Sequence, residues 1–130
     1  DIGKIGIRED ILLKHGKLTY DEFIIMKTHS EKGYRILQAM GELENVAKCV
    51  LCHHEKWDGT GYPLGLKEQE IPLISRIISI ADAYDVMRSE RTYKKPMSKE
   101  DAILELKNCS GSQFDPFLVD TFINYVLNNI

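Results

Sequence analysis

The sequence predicts an all-α fold, and three observations carry that expectation. Helix-starting signals recur along the chain, at Thr19, Ser98 and Asp115. Apolar residues fall at helical spacing, and no stretch shows the strict alternation of a half-buried strand. A single aperiodic segment, 57–72, is rich in Gly and Pro, and irregular segments of this length in compact domains are often functional. With 130 residues the chain makes one domain, without internal repeats or a flexible linker.

The elements follow in order. Thr19-Tyr20-Asp21-Glu22 is a capping box, in which the threonine hydroxyl and the glutamate carboxylate each satisfy a free backbone N–H, and it opens a helix expected to run to about Lys27. Ser30 is expected to cap a second helix carrying Tyr34, Leu37, Ala39 and Met40. Residues 45–55 form a third, with Val46, Val50 and Leu51 on its apolar face. Over about 73–89, Ile74, Ile77, Ile78, Ala81, Tyr84 and Asp85 follow helical spacing, with the apolar run of a buried central helix. The β-branched stretch at 74–80 lacks alternation and a flanking hairpin, so helix is preferred there. Ser98-Lys99-Glu100-Asp101 caps a fifth helix ending near Gly111. Asp115-Pro116, an N-cap followed by proline at the first helical position, opens a last helix to about Leu127.

Charge and composition exclude several classes. Seventeen basic against twenty acidic residues leave a net charge of −3, which argues against a broad surface for a nucleic-acid polymer. The apolar runs are shorter than the ~18–20 residues a membrane helix needs. Three cysteines, an odd number, argue against a disulfide scaffold and for a reducing compartment, so the cytoplasm is expected.

The chemistry concentrates on few residues. The histidines are His15, His29, His53 and His54. Adjacent His53 and His54 on a helix point about 100° apart, which is awkward for one ion but suits two neighbouring ions. Asp82 and Asp85, three apart on the fourth helix, are placed to meet that pair across the bundle. Imidazole and carboxylate ligands suit iron, manganese or zinc, and two such ions about 3.5–4 Å apart are common machinery for phosphoester hydrolysis. Cys49-Val50-Leu51-Cys52-His53 also spells the C-x-x-C-H pattern of c-type haem attachment. That reading needs a free His53 and export. Buried, inert Cys49 and Cys52 are the preferred alternative, with a zinc or redox role behind it.

Residues 53–63, His53-His54-Glu55-Lys56-Trp57-Asp58-Gly59-Thr60-Gly61-Tyr62-Pro63, resemble the HHE-x-WDG-x-GYP signature of the HD-GYP family. The opening Asp1-Ile2-Gly3-Lys4-Ile5-Gly6-Ile7 is similar to the family's HDIGKIGI stretch without its histidine. Further blocks match in the same order: Met26-Lys27-Thr28-His29, Ile80-Ala81-Asp82-Ala83-Tyr84-Asp85, Arg91-Thr92-Tyr93-Lys94 and Phe114-Asp115-Pro116. The resemblance covers essentially all of residues 1–130.

It implies an HD-type helical bundle with a long GYP loop that hydrolyses the bacterial second messenger cyclic di-GMP to pGpG or GMP, using a metal-activated hydroxide. Carried over residue by residue, the metal ligands are Asp1, His29, His53, His54 and Asp82, holding two or three divalent ions, iron or manganese. Asp1 and Lys4 fall at catalytic positions, Lys4 holding a phosphate oxygen. Lys4, Gly61, Tyr62, Asp85, Arg91 and Lys94 fall at substrate-binding positions. The implied partners are cyclic di-GMP, diguanylate cyclase (GGDEF) domains, and an attached sensory or receiver domain. The histidine before Asp1 and the upstream helix of the family pattern are expected to lie outside this chain. An alternative is therefore kept, in which it senses the nucleotide or docks a partner without turnover.

Overall fold

The computed structural model describes residues 1–90 and 95–127. Among the described residues six α-helices carry the fold: α1 (Glu9–Leu12), α2 (Tyr20–Gln38), α3 (Glu44–Cys52), α4 (Leu73–Arg88), α5 (Lys99–Asn108) and α6 (Pro116–Thr121). A 3₁₀ turn over Ile2–Gly6 precedes them, and α6 continues as a π-helical turn over Phe122–Val126. The described residues contain no strand, only a lone bridge between Ser110 and Phe114. None of their helices is long and apolar enough to cross a membrane.

Three helix starts are built as the sequence predicts. Glu22 N donates to Thr19 Oγ1 (3.3 Å) while Thr19 N donates to Glu22 Oε2 (2.7 Å). Ser98 Oγ accepts from Asp101 N, and Asp115 accepts from Phe117 N with Pro116 in the first turn. Two expectations are corrected. Ser30 caps nothing: it is buried inside α2, which runs unbroken from Tyr20 to Gln38. Its hydroxyl instead donates back to the Lys27 carbonyl (3.0 Å), a bond serine makes without leaving the helix. Nor is α4 a buried central helix. Only Ser75 and Ile80 are buried, whereas Leu73, Ile74, Ile77 and Ile78 are exposed. Apolar residues all round a helix show what it is able to bury, not what covers it.

A hydrophobic core cluster gathers Ile80 from α4, Leu106 from α5, and Phe114, Val119, Ile123 and Leu127 from the C-terminal segment. At the other end α2 packs on α3 and on the N-terminal turn. That last contact explains a glycine. A Cβ on Gly3 would overlap the His29 carbonyl oxygen and the Gly33 nitrogen, so main chain lies directly on main chain and Asp1 is brought beside His29. Ser75 Oγ donates to the Cys49 carbonyl (3.1 Å) and ties α4 to α3.

Candidate metal centre

Three elements deliver the cluster. Asp1 opens the N-terminal turn, His29 sits within α2, and His53 and His54 occupy the turn that follows α3. His53 and His54 follow the end of α3 at Cys52, and their rings lie 3.9 Å apart between centroids. One ligand atom from each of Asp1, His29, His53 and His54 falls within 4.8 Å of the others.

Of the nitrogens facing the centre, that of His53 is bare among the described residues. His29 Nδ1 donates to the Met26 carbonyl (2.7 Å) and His53 Nδ1 to the Val50 carbonyl (2.6 Å), so in the neutral rings both Nε2 atoms carry lone pairs. His53 Nε2 is buried and has no hydrogen-bond partner among the described residues; Asp1 Oδ1 is 3.7 Å away. His54 Nε2 lies 3.1 Å from His29 Nε2. Converging lone pairs with their outer nitrogens fixed by backbone carbonyls are the arrangement a divalent cation stabilises. The donor set fits a metal ion.

Burial holds all three imidazoles neutral. It is the largest cause lowering the pKa of His29, of His53, and of His54, which falls to about 3 with further lowering from its two neighbours. An unfolded histidine titrates near 6.5, so below that pH the unfolded chain takes up protons that the native cluster refuses. Stability of the metal-free chain is therefore complete above about pH 6.5 and falls as the pH drops below it. Urea midpoints in EDTA should decline between pH 7 and pH 5; a flat profile over that window contradicts the neutral cluster.

The loop 57–72 is organised around residues next to the ligands. The Glu55 carboxylate, 4% exposed, accepts from Leu64 N (2.7 Å) and Leu66 N (3.0 Å). Asp58 accepts from Thr60 N and Thr60 Oγ1. A Cβ on Gly61 would overlap the Glu55–Lys56 main chain, so this glycine serves close backbone approach. Tyr62 stacks on His54 with centroids 5.0 Å apart, and burial raises its phenol to about 12, leaving it a proton donor. At the loop's base, Trp57 N donates to the Gln113 carbonyl and Asp58 N to the Ser112 carbonyl.

The other expected site residues are placed as follows. Lys4 Nζ donates to Asp1 Oδ2 (2.7 Å), so its ammonium rests on the ligand carboxylate. Asp82 is exposed and lines, with His53, His54 and Tyr62, a cavity of about 530 Å³, but it is not one of the four clustered ligands. Asp85 is exposed and does not line that cavity. Arg91 and Lys94 lie outside the described residues. Cys49 and Cys52 are buried, and burial pushes the Cys52 thiol up to about 11, making it an inert packing group. Glu55 belonged to the recognised motif, but its role needed the fold: a buried carboxylate answering two amides nine and eleven residues onward.

A helical domain on which one carboxylate and three imidazoles converge defines the class, a fold with a candidate metal site. The chain belongs to the HD domain family, whose model matches residues 1–118. It is 49% identical over 131 residues to a probable cyclic di-GMP phosphodiesterase of Vibrio cholerae, an alignment covering 95% of this chain and 30% of that protein. It is also 49% identical over 125 residues to a cyclic di-GMP phosphodiesterase of Thermotoga maritima, covering 95% and 34%. The crystal structure of a cyclic GMP-AMP-specific phosphodiesterase of V. cholerae superposes with a TM-score of 0.61 at 27% identity, over 92% of this chain and 31% of that one. The chain thus spans about a third of the length of these relatives. The HD-GYP resemblance read from residues 53–63 agrees with these matches.

Proposed function

We propose that this chain is the catalytic core of a phosphodiesterase that hydrolyses cyclic di-GMP to pGpG or GMP. The observation that carries the reading is the convergence of Asp1, His29, His53 and His54, of which His53 and His54 line a cavity of about 530 Å³. The names of the relatives support the substrate. Asp1, His29, His53 and His54 would hold one ion, and Asp82, which lines the same cavity as His53 and His54, would help to hold a second. The nitrogen-rich set with one or two carboxylates suits iron or manganese. Such ions supply positive charge for the developing phosphorane and acidify water.

The chain's own residues do the rest. Lys4 is shared between Asp1 and a phosphate oxygen. Its bond to Oδ2 leaves Oδ1 facing His29 (3.5 Å) and His53 (3.7 Å). Tyr62 donates its hydroxyl to the substrate, since one face of its ring is taken by His54. Gly61 fixes where Tyr62 stands. Asp85, Arg91 and Lys94 complete the guanine and phosphate contacts. On this reading the domain works in the cytoplasm, with GGDEF domains as partners and a sensory or receiver domain attached.

The test is direct. Cyclic di-GMP incubated with Mn(II) or Fe(II) and either this chain or the protein extended upstream should yield linear product on chromatography, and none with EDTA. Intact substrate with both proteins shown to be metal-loaded overturns the hydrolytic reading.

A further inference from the structure

Lys27 belongs to no ligand set and to no assigned substrate contact. It stands on α2 two residues before His29, half-buried. Its ammonium lies 4.8 Å from the centre of the Phe23 ring and 5.1 Å from that of Tyr62. Two other lysines of this part of the chain are in ion pairs: Lys4 with Asp1, and Lys14 with Glu22. Among the described residues Lys27 makes no ion pair, and two aromatic rings hold it instead. Ring faces attract a cation without cancelling its charge, so the ammonium stays available to an anion. Tyr62 links it to the cluster, because the same ring stacks on His54. Phe23 and Tyr62 meet edge to face, with centroids 6.3 Å apart, which fixes the cradle.

We infer that Lys27 is a phosphate-binding residue, taking the second phosphate of a cyclic dinucleotide while the first lies at the metal centre. The inference rests on the cyclic di-GMP reading above. A cyclic dinucleotide carries two phosphates; ions and Lys4 gather at one of them, and Lys27 joins the basic residues already assigned to the substrate in holding the other. A lysine is suited to this as a point charge that needs no bidentate geometry. The exposed edge of Phe23 beside it offers apolar surface to a purine.

The experiment measures cyclic di-GMP affinity by calorimetry at saturating Mn(II), at low and moderate salt. Lys27→Met keeps the aliphatic stem against the rings and removes only the charge. It should weaken binding about tenfold at low salt and flatten the salt dependence, with metal content unchanged. Lys27→Arg should retain most of the affinity, and both variants should melt close to the parent. Binding of Lys27→Met equal to the parent at both salts overturns the inference while leaving the substrate reading intact. A parent chain that is metal-loaded and binds no cyclic di-GMP overturns both. Loss in Lys27→Met and Lys27→Arg alike, with lowered melting, shows a structural lysine and overturns the inference too.

Discussion

Replacing His53 by alanine is expected to abolish the metal-dependent rise in melting temperature and all turnover. His53 Nε2 is the buried nitrogen without a hydrogen-bond partner among the described residues, so it stabilises little until a cation arrives. An ion bound at a hundred times its Kd stabilises the native state by about 2.7 kcal/mol, because the unfolded chain scatters the same ligands. For a domain of this size that is roughly 10 °C. The informative quantity is the difference between melting with Mn(II) and melting with EDTA, since the substitution also removes the bond to the Val50 carbonyl in both conditions. His54→Ala should behave alike. A parent chain that contains no metal and melts identically in Mn(II) and EDTA would remove the basis for the centre.

The second large effect lies away from the ligands. Arg76 Nη1 pairs with Asp115 Oδ2 at 2.6 Å, and the two side chains are only 16% and 6% exposed. Arg76 also donates to the Ile71 carbonyl (3.0 Å), and its guanidinium lies 5.8 Å from the centre of the Trp57 ring. Asp115 uses its other oxygen to cap α6. Arg76→Met would leave a buried carboxylate without its counter-charge, which typically costs about 3–5 kcal/mol. Asp115→Asn added to it keeps a capping oxygen and removes the stranded charge, so the double variant should recover part of the loss. Denaturant midpoints for the four proteins of the cycle measure this. A single-variant cost below about 1 kcal/mol would show that the pair is solvated.

What the sequence made legible was local chemistry. The caps at Thr19, Ser98 and Asp115 are signalled by residues three apart or fewer, and each is built as expected. The loop announced itself through its glycines and prolines. The cluster was legible through the motif blocks rather than through periodicity, since helical spacing says nothing of how Asp1, His29 and His53–His54, on three separate elements, come together. The Arg76–Asp115 pair joins positions 39 apart, and no local pattern encodes such a contact. Ser30 misled because a serine hydroxyl serves a helix start and a helix interior equally well. The exposure of Ile74 and Ile77 was beyond reach for a related reason: residue type states a preference for burial, while the packing partner decides it.

Positions 53, 54 and 55 are consecutive, yet they serve different masters. Two point at the metal centre and the third grips the loop through the amides of Leu64 and Leu66. With no spacer between them, a backbone displacement of the turn after α3 is expected to carry all three residues. A tilt that moves the imidazoles moves the Glu55 carboxylate by a similar amount, so ligand geometry and loop position are geared together. Evolution or an engineer wishing to retune the loop alone must therefore work from its far end, around 64–66, because any adjustment made at the near end is felt at the centre as well.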